Sequence, residues 1–145
     1  MKLTETNYSK IINTFSPSDW NPLLELIPEI EKSTKFGEMK GGEKTQDGTI
    51  NMPYWHESAL VSRFQETAYE LPIIINYNWN AWEAGRKMID DADFNYDSID
   101  IPTKCKLITL IIRSNRFFDG ALISAFESGL ILKLLKSIKR QVKSE

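Results

Sequence analysis

Arg113 and Arg116 are the two residues whose type and spacing packing alone explains least. They stand three apart in the middle of what reads as the most apolar helix, which also holds Leu107, Ile108, Leu110, Ile111 and Ile112. On a helix that spacing puts both on one face. A guanidinium does not shed its charge, so where solvent is scarce it needs paired carboxylates or a bound anion. Thr109, one turn earlier, adds a hydroxyl on the same side. Two readings stand: the arginines anchor carboxylates and helix-end carbonyls of neighbouring elements, or they hold an anionic ligand. Trp79 and Trp82 form a second pair at the same spacing, with Glu83 and Arg86 beside them. Two indoles on one face can floor a pocket, stack a planar group or hold a cation, and they can equally fill a core. The candidate ligand-binding set is therefore Arg113, Arg116, Thr109, Trp79, Trp82 and Glu83.

Other chemistry is sparse. One histidine, His56, and one cysteine, Cys105, exclude a zinc site of the usual His/Cys kind, and no metal or cofactor is expected. A Cys105–His56 dyad is formally possible, but a free cysteine on an apolar helix reads as a small buried hydrophobe. His56 with Glu57 as a base reads more simply as an exposed or capping histidine. The run Asp91 to Asp97 offers carboxylates or amides at positions 1, 3 and 5 of a calcium loop. Tyr96 stands where the loop needs glycine and Pro102 where it needs a bidentate Glu, so that reading fails. Lys133, Lys136, Lys139, Arg140 and Lys143 make the last helix basic and amphipathic. Such a stripe suits an anionic surface, and it also suits a helix C-terminus, where cations complement the dipole.

The elements that must position these residues are nearly all helical. Tyr8, Ile11, Ile12 and Phe15 predict a first helix, and Ser16-Pro17 ends it. A second runs through Leu23, Leu24, Ile27 and Ile30, with Pro28 predicting a kink or a break into two short helices. Four glycines between 37 and 48 predict a glycine-rich loop or small hairpin at about 36–54, in which Ile50, Met52 and Tyr54 alternate as an edge strand. Helix is expected again over about 57–71, and a further one from Pro72 through Met88. Asp100 caps the apolar helix, which is expected to continue to Phe118, and Gly120 and Gly129 punctuate the last two. The fold class is mostly all-α, a compact bundle of five to seven helices forming a single domain over 1–145.

The run from Thr109 through Arg113, Arg116 and Phe117 to Gly120 resembles a signature, roughly T-x-x-x-R-x-x-R-F-x-x-G, of a family of small bacterial proteins catalogued only as a domain of unknown function. Trp79 and Trp82 resemble its W-x-x-W element, and Gly37 to Pro53 its glycine-bearing loop. Asn78 stands where that family would be expected to carry Asp. The resemblance covers about Trp20 to Leu135 and implies a helical intracellular fold without a known activity.

Composition bounds the rest. With 145 residues, 41% apolar and 26% charged, the chain can bury a core without metals or disulfides and is neither disordered nor collagen-like. No run is long enough to span a membrane, no secretory signal is visible, and a lone cysteine suits a reducing compartment, so a cytoplasmic location is expected. The net charge of −2 conceals a division: residues 1–100 carry −8 and residues 101–145 carry +6. The sequence reads first as a binding or interaction module for an anionic small molecule or an acidic partner segment. A small hydrolase or transferase acting on an anionic small molecule is the alternative. Nucleic-acid association through the last helix comes third, disfavoured by a pI near 5.5.

Overall fold

A computed structural model describes residues 2–143. Seven α-helices of five or more residues carry the fold: α1 (Tyr8–Ile12), α3 (Ile27–Lys32), α4 (Ala59–Glu70), α5 (Glu83–Asp90), α6 (Ile101–Ser114), α7 (Ala121–Glu127) and α8 (Leu130–Lys143). A one-turn segment, α2 (Asn21–Leu24), precedes α3. The break between α2 and α3 is the division Pro28 predicts: its missing N–H is tolerated only in the first turn of a new helix.

Helix α6 is the central element. Leu107, Ile108, Leu110, Ile111 and Ile112 are buried on it, and α1, α5, α7 and α8 pack around it. Its start is fixed by Asp100, whose carboxylate accepts the Thr103 N–H at 2.9 Å. Helix α8 contributes Ile131, Leu134, Leu135 and Ile138 to the same core. Helix α4 adds Val61, Phe64 and Ala68, with Phe64 edge-on to Phe126 of α7 at 5.2 Å between ring centres. No helix among the described residues is long and apolar enough to cross a membrane.

The four strands among the described residues are short. β2 (Gly37–Lys40) and β3 (Tyr54–Glu57) form an antiparallel hairpin in which Met39 faces Trp55 and Lys40 faces Tyr54. The glycine-rich segment is thus a hairpin, although its return strand lies three or four residues beyond the Ile50–Tyr54 alternation. Ile50 instead makes an isolated bridge to Lys44 near the tip. There Asp47 accepts hydrogen bonds from the Thr45 hydroxyl and the Thr49 hydroxyl and N–H, which hold its carboxyl down to about 2.

The second pair corrects the sequence reading. Pro72 does not open a helix running to Met88. Ile73 and Ile74 are buried and outside any helix, and β4 (Ile75–Asn76) pairs in parallel with β1 (Leu3–Thr4). The helix begins only at Glu83. Three consecutive isoleucines are β-branched and apolar on every side, so they suit a fully buried strand as well as a helix. The partner that decides between the two is two residues long and lies about seventy positions away.

Candidate functional site

The six residues singled out from the sequence occupy several different surroundings. Thr109 is fully buried and serves the scaffold: its hydroxyl accepts the Ile75 N–H at 3.1 Å and donates to the Cys105 carbonyl at 2.9 Å. That bond ties β4 to the middle of α6. Trp82 is half-buried and flanks the ammonium of Lys106 at 4.6 Å, with Tyr77 at 4.8 Å and Tyr8 at 5.8 Å completing an aromatic enclosure. Glu5 pairs with that ammonium at 3.5 Å, and the Tyr77 hydroxyl donates to the Lys106 carbonyl at 2.9 Å. Burial, and secondarily the Glu5 charge, pushes the Tyr77 phenol up. The cation in this enclosure is the chain's own. Glu83 is exposed in the first turn of α5, where a carboxylate complements the helix dipole, and it pairs with neither arginine.

The arginines do not share a helical face, because α6 stops at Ser114. Arg113 is half-buried in the last turn, and Arg116 is exposed beyond the helix end. Past Ser114 the backbone tightens into i→i−3 turns, Arg116 N–H to Arg113 O at 3.2 Å and Phe117 N–H to Ser114 O at 3.0 Å, and the Asn115 side chain ties this end to the neighbouring elements. Its Nδ2 donates to Glu57 at 2.8 Å, and its Oδ1 accepts the Leu122 N–H at 3.1 Å. The other Glu57 oxygen accepts from Gln65 at 2.7 Å. Glu57 is therefore committed on both oxygens and is no free base. Among the described residues neither arginine has an ion pair, and their side chains make no hydrogen bond. The two guanidiniums open onto different surfaces.

Arg113 lines a concave pocket of about 390 Å³ with Lys2, Tyr69 and Asn76, walled by Leu3, Pro72 and Ile74. Arg116 belongs to a turn, residues 115–120, that carries two uncovered rings. Phe117 is 72% exposed and Phe118 60% exposed. Phe117 lies against Trp79 at 5.7 Å, and the Arg86 guanidinium sits over Trp79 at 6.0 Å while donating to Asn80 at 3.1 Å. Trp79 and the segment of Arg116 do come together, through Phe117 and with Arg86 as the adjacent cation. Arg86 also borders a cleft of about 310 Å³ between α5, α6 and α7, whose apolar lining of Ile89, Leu110, Ile111 and Ala125 is joined by Asp90 and three serines.

The turn is held firmly despite its exposure. The Asp119 carboxylate accepts the Trp55 N–H of the hairpin at 3.0 Å. Gly120 adopts φ +83°, and a Cβ there would lie 2.6 Å from the Trp55 ring. Hairpin and turn are therefore locked to each other. Of the eight large hydrophobic side chains exposed among the described residues, seven belong to these two segments: Met39, Ile50, Met52, Tyr54, Trp55, Phe117 and Phe118.

Other candidates separate. Cys105 is fully buried, which pushes its thiol up, whereas His56 is exposed on β3, so no dyad forms. Among the described residues no group of three His, Cys, Asp or Glu gathers to hold a metal. The acidic loop docks on the last helix. Arg140 grips Asp97 at 3.0 Å, Lys136 meets Glu31 at 3.2 Å, and the basic stripe is broken accordingly. Sequence reasoning passed over Lys2, Tyr69, Asn76 and Asn115. Only the turn's Phe117-Phe118 pair carried a signal that could have been weighed, as adjacent aromatics between two polar stretches.

A family model described as a family of unknown function matches residues 15–144. The chain belongs to that family, DUF6508. The match spans α2 through α8 together with the hairpin and the 115–120 turn, so the locked pair of segments lies wholly inside the DUF6508 region, while β1 and Lys2 precede it. No curated protein and no solved structure matches the chain.

Proposed function

We propose that this DUF6508 chain, read as a single domain, is a protein-interaction module whose contact surface is the aromatic ridge formed by the hairpin and the 115–120 turn. The observation that carries this reading is the concentration of exposed large hydrophobics on two segments that are themselves fixed. A mobile loop would lose ordering entropy on binding; a turn held by Asn115, Asp119 and Gly120 has already given it up. Phe117, Phe118 and Trp55 are the anchors, since aromatic side chains dominate contact energetics at interfaces. Arg86 and Arg116 set the charge of the occupant: neither has an ion pair among the described residues, Arg86 lies over Trp79, and Arg116 precedes Phe117 in the same exposed turn. The partner is an acidic segment bearing an apolar side chain, for which the cleft beside Arg86 gives a seat.

Selection of displayed random peptides on the intact chain tests this. The expected binders combine Asp or Glu with Phe, Trp or Leu. Arg116→Glu should weaken them at least tenfold and Phe118→Ala by a similar factor, with unchanged melting because both side chains are exposed. Peptides without acidic bias, or binding indifferent to both substitutions, would overturn the reading.

A further inference from the structure

The pocket at Arg113 is separate from the aromatic ridge and has a composition of its own. Four of its lining side chains offer hydrogen-bond donors: the Lys2 ammonium, the Arg113 guanidinium, the Tyr69 hydroxyl and the Asn76 carboxamide. Among the described residues none that lines it is a carboxylate. Leu3, Pro72 and Ile74 supply apolar walls, and the volume of about 390 Å³ lies within the range of small-molecule sites. Four elements build it. Parallel pairing of β1 with β4 sets Lys2 and Leu3 beside Ile74 and Asn76. The last turn of α4 brings Tyr69, and the last turn of α6 brings Arg113. Arg113 is half-buried, and its guanidinium has neither an ion pair nor a hydrogen bond among the described residues. A partly desolvated cation of fixed charge beside a second cation is unfavourable until an anion joins them.

We infer that this pocket binds a small organic anion, a carboxylate or phosphate monoester carrying a short apolar body. Its charged end lies between Arg113 and Lys2 with Tyr69 and Asn76 as further donors, and its apolar part lies against Leu3, Pro72 and Ile74. Arg113 takes the anion through two parallel N–H donors, a geometry lysine cannot supply.

The experiment is titration of the full chain with phenyl phosphate, benzoate, inorganic phosphate and the neutral amide benzamide, followed by calorimetry and by amide and side-chain NMR shifts. Phenyl phosphate or benzoate should bind more tightly than inorganic phosphate, benzamide should not bind, and the Asn76 side-chain amide should shift. Arg113→Gln should weaken binding at least tenfold, the usual consequence of removing a charge-assisted pair. Lys32→Gln, at the exposed end of α3, should leave it unchanged. If Arg113→Gln fails to fold, Lys2→Gln, whose side chain is exposed, should still weaken binding severalfold. Preference for phenyl phosphate over benzoate would identify a phosphate monoester, and the reverse a carboxylate. Absence of binding by all three anions, equal binding of benzamide, or binding indifferent to both Arg113→Gln and Lys2→Gln would overturn the inference. None of these outcomes bears on peptide binding at the ridge.

Discussion

Replacing Gly120 with alanine measures how strongly the hairpin is locked to the turn. Two glycines that flank α7, Gly120 and Gly129, have the same φ of +83°, and they differ in surroundings. At Gly129 an added Cβ meets nothing within 4 Å; at Gly120 it would lie 2.6 Å from Trp55 Cδ1 and 3.0 Å from Cγ. The left-handed backbone costs alanine about 1–2 kcal/mol, partly offset by a loss of unfolded-state entropy of about 0.4–1 kcal/mol. Gly129→Ala should therefore cost about 1 kcal/mol. Gly120→Ala carries the same backbone cost and must also displace the indole. Overpacking of that kind costs about 1–3 kcal/mol, and the exposed hydrogen bond from Trp55 to Asp119 weakens with it, so the total is about 2–4 kcal/mol. At about 2–4 °C per kcal/mol for a chain of this size, Tm should fall by roughly 2–4 °C for Gly129→Ala and roughly 4–16 °C for Gly120→Ala. Urea denaturation with thermal melts checks both. In the Trp55→Ala background the extra cost at Gly120 should vanish, leaving it equal to Gly129. Equal costs in the wild-type background, or no relief from Trp55→Ala, would refute the lock.

Thr109→Val keeps the shape of the side chain but leaves the buried Ile75 N–H without an acceptor. It should cost about 1–3 kcal/mol in urea denaturation, with Thr109→Ser recovering most of it. Lys106→Met removes the cation from its ring of Tyr8, Tyr77 and Trp82 and should cost about 1–2 kcal/mol, with Lys106→Arg milder. Lys104 is buried and hydrogen-bonded to Gln141, and burial lowers its ammonium to about 8 from an ordinary 10.5. Between those values the unfolded chain holds the proton more tightly than the folded one. Wild-type stability relative to Lys104→Met should therefore rise with pH from about 8 to 10.5, as denaturation series would measure. Cys105 acts with the opposite sign. Its thiol is raised by burial, so the unfolded chain ionises first, and stability relative to Cys105→Ala should fall as pH rises above about 9.

Where a residue's role depends on its near neighbours in the chain, the sequence already discloses it. The stripe through α6, the Asp100 cap, the break at Pro28 and the glycine-rich hairpin all rest on local periodicity or backbone chemistry. What escapes are decisions made across the fold. Ile75 and Asn76 become a strand because Leu3 and Thr4 arrive beside them. Helix α6 ends at Ser114, short of Phe118, and the turn that follows is held by Asn115, which finds Glu57 and Leu122 as partners. That ending separates Arg113 from Arg116, and no residue between 109 and 120 announces it. Trp79 and Trp82 diverge for a similar reason. They sit on a short 3-10 turn and at its end, rather than on the continuous helix that would have stacked them. The charge division of the chain is likewise met piecewise, by Glu5 with Lys106, Glu31 with Lys136 and Asp97 with Arg140.

The bond from the Trp55 N–H to Asp119 has a consequence for how copies of this chain behave toward one another. In the β2–β3 register that N–H points away from the hairpin, along the free side of β3. A bare strand edge recruits further strands, and an apolar one seeds aggregates. Here a carboxylate occupies the donor and sets a negative charge where an incoming strand would offer its carbonyls. The opposite edge is only four residues long and carries Glu38 and Lys40, with Gly37 pressed onto Ile123. The same aspartate that anchors a sticky aromatic surface thus closes the sheet beside it to growth.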